Sequence, residues 1–222
     1  MTGDEQTPPT VAPAQRAKPG VGQLTMRPVE VRLYRAQLVP PPRCYLEWGL
    51  GGSTAEALRA GAGLVVSVEG DGAWIAAARD DAAVAAAEAT GRLRLVHADI
   101  GPTGKWGMPV DRGTRARWPG YAAAPWPVLD AAGAWPDLVL VDGRFRVACC
   151  LSMARECLAR PDRPPPRLML HDFNDQRPHY EPMRLAWEEV GAAASLRVFR
   201  LRAGIDPAAL AAGIAAHDQD PR

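Results

Sequence analysis

The sequence has almost no net charge and no long apolar run. It carries 26 basic and 25 acidic residues in 222, a formal net charge of +1, so no global field would recruit a nucleic acid or a membrane surface. A transmembrane helix needs about 18 or more consecutive apolar residues, and no such run is present. The N-terminus also lacks the apolar segment of a signal peptide. These absences favour a cytoplasmic protein that acts on neither nucleic acid nor membrane.

Cysteine is scarce as well. None of the four cysteines belongs to a C-x-x-C pair, and the two adjacent ones would point to different faces of a helix. This spacing disfavours a redox or zinc site and predicts reduced core thiols in a cytosolic protein. They are Cys44, Cys149, Cys150 and Cys157.

Residues 43–54 contain the most informative stretch, Arg-Cys-Tyr-Leu-Glu-Trp-Gly-Leu-Gly-Gly-Ser-Thr. It predicts a short apolar strand that runs into a glycine turn and then into an Ala/Leu-rich helix. Glycines let the backbone approach a ligand closely, and free N–H groups at a helix start attract oxygen atoms. The stretch therefore predicts a nucleotide-binding corner.

Two types of glycine turn compete for this corner. A dinucleotide-binding turn reads G-x-G-x-x-G, but counted from Gly49 its third glycine position holds Thr54. The pattern present is Glu-x-Gly-x-Gly-Gly, formed by Glu47, Gly49, Gly51 and Gly52. Thr54 and the preceding acid both count against a nucleotide-dependent oxidoreductase.

Four further apolar runs, at 63–69, 92–99, 137–143 and 167–172, carry an acid at or next to their last residue. With the first strand they predict an α/β fold, a mostly parallel central sheet with helices on both faces and polar residues at its carboxyl edge. Their terminal acids are Glu69, Asp99, Asp142 and Asp172. An acid about 20 residues past the glycine turn is well placed to accept hydrogen bonds from both ribose hydroxyls of a nucleotide.

Taken in order, these motifs resemble the class I S-adenosylmethionine-dependent methyltransferases over roughly residues 43–203. The resemblance implies a Rossmann-like fold and S-adenosylmethionine as cofactor. It implies that Glu47 faces the methionine end of the cofactor, with Glu69 at the ribose and Asp99 near the adenine. Gly49, Gly51, Gly52 and Ser53 would form the turn and helix start. Trp74 either lies against the adenine or belongs to the core.

The fourth and fifth strand ends carry the candidate chemistry. In one arrangement Asp142 and Asp172, with Asn174, hold Mg²⁺ and lower the pKa of an acceptor hydroxyl; this resembles catechol and macrolide-sugar O-methyltransferases. In the other, His171 or Asp172 is a metal-free general base. Alternatively, Asp142 could cap a turn, and His171 could be a hydrogen-bonded histidine of the core. Arg144 and Arg146 would pair either with an acidic acceptor or with the protein's own acids.

The predicted function is methylation of a small molecule on oxygen. The alternative is a degenerate, non-catalytic cofactor-binding or interaction protein with the same fold. A nucleic acid substrate is disfavoured by the charge balance and by the lack of an Asn/Asp-Pro-Pro-Tyr motif after strand four.

Along the chain, composition predicts a disordered tail at 1–26, one domain at 27–203 and a C-terminal helix or tail at 204–222. Within the domain we expect one helix at 72–89, a lid or substrate loop at 100–136, a helix at 180–190 and a strand at 196–201. The family's seventh strand is expected to be missing. The structure of that sheet edge, and whether a homodimer forms there, are therefore not predicted.

Overall fold

The computed structural model describes residue 21 and residues 23–222. In this part of the chain seven strands form one sheet, in the order β3-β2-β1-β4-β5-β7-β6. The strands are β1 Cys44–Trp48, β2 Leu64–Glu69, β3 Leu93–His97, β4 Leu138–Val141, β5 Arg167–Leu170, β6 Trp187–Ala193 and β7 Leu196–Leu201. Strands β1 to β5 are mutually parallel, and β7 pairs antiparallel with both β5 and β6. The predicted α/β, mostly parallel fold is confirmed.

Helices cover both faces of the sheet. They are α1 Pro28–Gln37, α2 Gly52–Arg59, α3 Gly72–Ala78, α4 Ala82–Ala89, α5 Pro119–Ala123, α6 Pro125–Ala131, α7 Arg146–Ala159 and α8 Pro207–His217. Alternate residues of β1 point to opposite faces, so Tyr45 joins the core under α1 to α4 while Leu46 and Trp48 join the core under α5 to α7. Across residues 21 and 23–222, none of the helices has the length and apolar character that crossing a bilayer requires.

The C-terminal hairpin corrects two predictions. Residues 180–190 do not form an α-helix: Pro178–Leu185 is a 3-10 helix with Pro182 inside it, and β6 follows. Proline removes a helical hydrogen bond, and the burial of residues 187–193 alternates with the two-residue period of a strand. Since β6 pairs with β7, the seventh strand is present and the prediction that it is missing was wrong.

The helix predicted at 72–89 is two helices. Asp71 accepts from Ala73 N and Trp74 N and begins α3, and Asp81 accepts from Ala83 N and Val84 N and begins α4. An aspartate at each start satisfies free helix N–H groups, so the second cap lets the chain change direction after residue 79. An alanine-rich composition did not reveal this break.

Most of the segment predicted as a lid is part of the core. The 3-10 helix Arg112–Arg117, α5 and α6 lie on the sheet, with Trp118, Tyr121 and Trp126 buried beneath them. Only residues 101–111 extend beyond this layer, where Trp106 is 72% exposed. The three arginines of the segment, Arg112, Arg115 and Arg117, are exposed.

The described start of the chain packs on the glycine turn. Val21 is buried in the core under α1 to α4, and a Cβ added at Gly52 would overlap the Gln23 carbonyl. Residues 1–20 and 22, which hold most of the predicted disordered tail, lie outside the described residues.

Candidate functional site

The glycine turn lies at the carboxyl end of β1, between β2 and β4. Gly49 has φ +111°, and a Cβ there would lie 2.7 Å from Gly143 N, so only glycine fits between the ends of β1 and β4. Gly52 is fixed by residues 23–24 in the same way. At Gly51, by contrast, no atom of the described chain lies within 4 Å of a Cβ position. Gly51 is thus the glycine of the turn that faces open space.

Glu47 lies beneath this turn and not at its open side. Its carboxylate is fully buried and accepts from Ser53 Oγ (2.8 Å), Ser67 Oγ (2.8 Å), Tyr45 OH (3.1 Å) and Thr54 Oγ1. Burial raises the pKa of Glu47 to about 7, against the lowering effect of these hydroxyl donors. Its predicted place at the methionine end therefore differs from its place in the structure, where it ties β1 and β2 to the start of α2.

Glu69 and Asp71 lie where β2 leads into α3. Glu69 Oε1 accepts from Gly70 N (2.7 Å) and Asp71 N (2.9 Å), and burial raises the pKa of this carboxyl. Thr103 Oγ1 donates to Asp71 Oδ2 (2.9 Å), and a Cβ at Gly107 would lie 3.9 Å from Glu69 Oε1. Residues 101–111 therefore lie beside the carboxyl end of β2.

Two predicted adenine-side residues have protein partners. Trp74 is partly buried against the core, and its Nε1 donates to Leu50 O (2.7 Å), which joins α3 to the glycine turn. Exposed Asp99 accepts from Gly101 N (2.9 Å) and pairs with Arg117 Nη1 (2.7 Å). Its pKa is lowered by the Gly101 N–H and then by Arg117.

At the ends of β4 and β5, the side chain of His171 joins those of Asp142 and Glu30 in a chain of contacts. His171 Nδ1 is 3.0 Å from Asp142 Oδ1, and its Nε2 is 3.4 Å from Glu30 Oε2 on α1. Glu30 Oε1 also accepts from Ser195 N (2.8 Å) and Ser195 Oγ (2.7 Å). Burial opposes charge on both His171 and Glu30. Their hydrogen bonds and opposite charges nevertheless raise the pKa of His171 and lower that of Glu30 to about 2.

The contacts of His171 with Asp142 and Glu30 give it a positioning role. Both of its ring nitrogens face carboxylates, and its side chain is only 8% exposed. A general base needs a nitrogen free to reach the acceptor's proton, so the predicted general-base role of His171 does not fit this geometry. His171, held by Glu30, instead fixes the orientation of Asp142.

A buried arginine joins the two aspartates of the site. Arg146 Nη2 lies 3.1 Å from Asp142 Oδ1 and 3.2 Å from Asp172 Oδ2, and the side chain is 2% exposed. Its guanidinium also donates to the carbonyls of Gly143 (3.0 Å), His171 (2.6 Å) and Asp142 (3.2 Å). His171 and then Arg146 lower the pKa of Asp142 despite its burial. Of the two predicted roles for Arg146, pairing with the protein's own acids is the observed one.

The predicted Mg²⁺ site does not fit these residues. Single ligand atoms of Asp142, His171 and Asp172 lie within 4.8 Å of one another, but Arg146 already places a permanent positive charge between the carboxylates. Mg²⁺ prefers oxygen ligands, whereas His171 offers nitrogen. The third predicted ligand, Asn174, accepts from Gln176 N through Oδ1 (3.0 Å), so this oxygen already has a protein partner. No step is assigned to a metal.

Sequence reasoning missed one residue of the site, Glu30, and could not establish the pairing of another, Arg144. Glu30 is 141 positions away from His171, and no motif links the two. Arg144 was noted beside the site, but its isolation from carboxylates could not be predicted, because this depends on how every other arginine is paired.

Comparisons with known proteins agree with the fold. The chain is similar to the crystal structure of a methyltransferase-like protein (spo2022) from Silicibacter pomeroyi DSS-3, with 30% sequence identity and a TM-score of 0.71. The match covers 90% of this chain and 98% of that one. No protein-family model matches the chain, and no curated protein matches it.

Two other solved structures match more weakly. SMU.776 complexed with SAH gives 11% identity and a TM-score of 0.42, over 78% of this chain and 49% of that chain. A human methyltransferase 10 domain containing protein gives 11% identity and a TM-score of 0.40, over 78% and 80%.

Proposed function

Because this chain belongs to the class I methyltransferase-like family, we propose that it binds S-adenosylmethionine and methylates a small molecule on oxygen. The observation that carries the proposal is the glycine turn at the edge of the sheet, where the order changes from β2-β1 to β4-β5. Ligands of open α/β sheets bind at such a point. Gly51 faces open space there and leaves room for the backbone to approach a ligand.

The residues on the β1–β2 side would hold the cofactor. Gly51 and the N–H groups at the start of α2 would border its methionine end, and Glu69 would accept from its ribose hydroxyls. Trp74 and Asp99 would border its adenine. Glu47 would act indirectly, by holding Ser53 and Thr54 so that the turn keeps its shape. When bound, S-adenosylmethionine supplies a sulfonium methyl group that an acceptor oxygen attacks, and the electron pair of the broken C–S bond stays on sulfur.

The residues on the β4–β5 side would position the acceptor. Asp142 and Asp172 are 28% and 32% exposed and can accept a hydrogen bond from an acceptor hydroxyl. Because Arg146 and His171 lower the pKa of Asp142, this carboxylate is a weak base. We therefore assign Asp142 to orientation of the acceptor, with the hydroxyl proton passing to Asp172 or to water.

A second candidate function is binding without turnover. The specific observation in its favour is that Asp142, His171 and Asp172 are all engaged by the protein's own groups. This candidate predicts cofactor binding without product from any acceptor.

The test is calorimetric titration with S-adenosylhomocysteine, and separately with NAD, of the parent chain and of Gly51→Val. We expect micromolar binding of S-adenosylhomocysteine to the parent, no NAD binding, and loss of binding in Gly51→Val. A Cβ at Gly51 meets no described protein atom within 4 Å, so the variant is expected to fold, and an unchanged melting temperature would show that loss of binding does not come from misfolding. Full affinity in Gly51→Val would contradict the proposed cofactor site.

A further inference from the structure

Arg144 differs from every other arginine that the structure describes as partly or fully buried. Each of the others has a carboxylate within 4.0 Å: Arg146, Arg160, Arg177, Arg184 and Arg197. Arg144 has none among the described residues. Its Nε is buried and has no hydrogen-bond partner there. A buried, unpaired cationic group destabilises a fold, so such a group is usually satisfied by something.

Arg144 lies at the site and not at a remote surface. It follows the Asp142-Gly143 end of β4, and its backbone N is 3.4 Å from the hydroxyl of buried Tyr121. Burial lowers the pKa of Arg144, and the positive charge of Arg146 lowers it further. A negatively charged ligand group would relieve both effects, because it would pair with the guanidinium in a partly desolvated position.

None of the described acids of the protein pairs with the guanidinium of Arg144. Asp142 pairs with Arg146 and His171, and Asp172 pairs with Arg146 and Arg177. The two acids of the site are therefore already paired with other cations, and the guanidinium of Arg144 is left for a ligand. A planar guanidinium offers paired N–H donors that match a carboxylate or a phosphate.

We propose that Arg144 binds an anionic group, a carboxylate or phosphate, on the methyl acceptor. This rests on the proposed function, and it names the substrate class: an acidic small molecule. The acceptor is favoured over the cofactor's own carboxylate as the source of the anion. Arg144 lies two residues after Asp142 at the end of β4, and the groups that act on its charge are Arg146, Tyr180, Tyr121 and Asp142. The proposed cofactor residues follow β1, β2 and β3 instead.

The experiment uses inorganic phosphate as the probe, in the full chain saturated with S-adenosylhomocysteine and at constant ionic strength. Phosphate affinity is measured by calorimetry in the parent, in Arg144→Gln and in Arg112→Gln, a control that removes an exposed arginine from the 3-10 helix. We expect Arg144→Gln to weaken phosphate binding about tenfold or more, the usual effect of losing a charge-assisted hydrogen bond. Arg112→Gln should leave the affinity unchanged, and S-adenosylhomocysteine affinity should be unchanged in both.

Three results would overturn the inference: no phosphate binding by the parent, equal phosphate binding by the parent and Arg144→Gln, or a tenfold loss of S-adenosylhomocysteine affinity in Arg144→Gln. The last would assign the anion to the cofactor. If Arg144→Gln fails to fold, Arg144→Lys keeps the charge without the Nε–H and should bind phosphate more weakly than the parent. Failure of the proposed function is a separate result, since the parent would then not bind S-adenosylhomocysteine, while phosphate can still be titrated into the free chain.

Discussion

Replacing Arg146 by methionine is expected to destabilise the protein strongly. The substitution removes the cation between Asp142 and Asp172 and leaves the carbonyls of Gly143 and His171 without their donor. Removing one partner of a buried ion pair typically costs about 3–5 kcal/mol. The two aspartates are 28% and 32% exposed, so water can reach them once the cation is gone. We therefore expect the lower end of that range, about 3 kcal/mol.

The matched control is Arg155→Met on the same helix. Arg155 is 49% exposed and pairs with the adjacent Glu156. Glu156 keeps Arg160 as a second partner, so the loss of Arg155 should cost less than about 1 kcal/mol. Urea denaturation followed by circular dichroism would measure the free energy of unfolding of both variants. Equal losses in Arg146→Met and Arg155→Met would refute the assignment of Arg146 as the cation of the site.

A second arm tests whether Arg146 takes the place of a metal. In Arg146→Ala the ligand atoms of Asp142, His171 and Asp172, which lie within 4.8 Å of one another, would have no cation between them. Zn²⁺, which takes both imidazole nitrogen and carboxylate oxygen ligands, should then stabilise the variant, by about 1.4 kcal/mol at ten times the dissociation constant. The parent should show no such shift, and equal stabilisation of the parent by Zn²⁺ would mean that a metal site exists beside Arg146.

Three further substitutions test the cofactor side. Gly49→Ala should lose about 1–3 kcal/mol of stability in urea denaturation, because its Cβ would lie 2.7 Å from Gly143 N at φ +111°; wild-type stability would contradict the tight packing of β1 against β4. Glu69→Gln should weaken S-adenosylhomocysteine binding by about 1.5–3 kcal/mol in calorimetry, and unchanged affinity would remove Glu69 from the ribose site. Glu47 has a folded-state pKa of about 7 against 4.5, so the native state holds its proton more tightly. Stability should fall by up to about 3 kcal/mol as pH rises from 4.5 to 7. Glu47→Gln should abolish this fall, and an identical pH profile in the variant would show that Glu47 is not its source.

The layout of the sheet could be predicted from sequence because it depends on local patterns. Apolar runs that end in acids identified β1 to β5 and the edge at which Glu69, Asp142 and Asp172 lie. The region after residue 172 was harder to predict. Pro182 inside a 3-10 helix and the bulge between Glu189 and Gly191 in β6 break the regular periods on which such predictions depend.

The pairing of charges at the site could not be predicted, because it depends on contacts between distant elements. His171 meets Glu30 only because α1 packs beside the β6–β7 hairpin, where Glu30 also binds Ser195. The sequence offered two roles for Arg146, and only the packing of α7 against the ends of β4 and β5 decides between them. A charged residue beside a predicted site is therefore informative about location and not about function until its partners are known.

Thr54 has a structural role in the glycine turn that the spacing of the motif does not reveal. In the sequence, Thr54 occupies the position at which a dinucleotide-binding turn would have its third glycine. In the structure its hydroxyl accepts from Gly51 N (3.1 Å) and donates to Glu47, so it joins the turn to the buried acid two residues before the first glycine. A glycine at position 54 could make neither bond, and buried Glu47 would lose one of its four hydroxyl donors. The hydrogen bond between Thr54 and Glu47 therefore stabilises both the turn and the buried acid. This gives the Glu-x-Gly-x-Gly-Gly-Ser-Thr pattern a physical basis independent of any ligand.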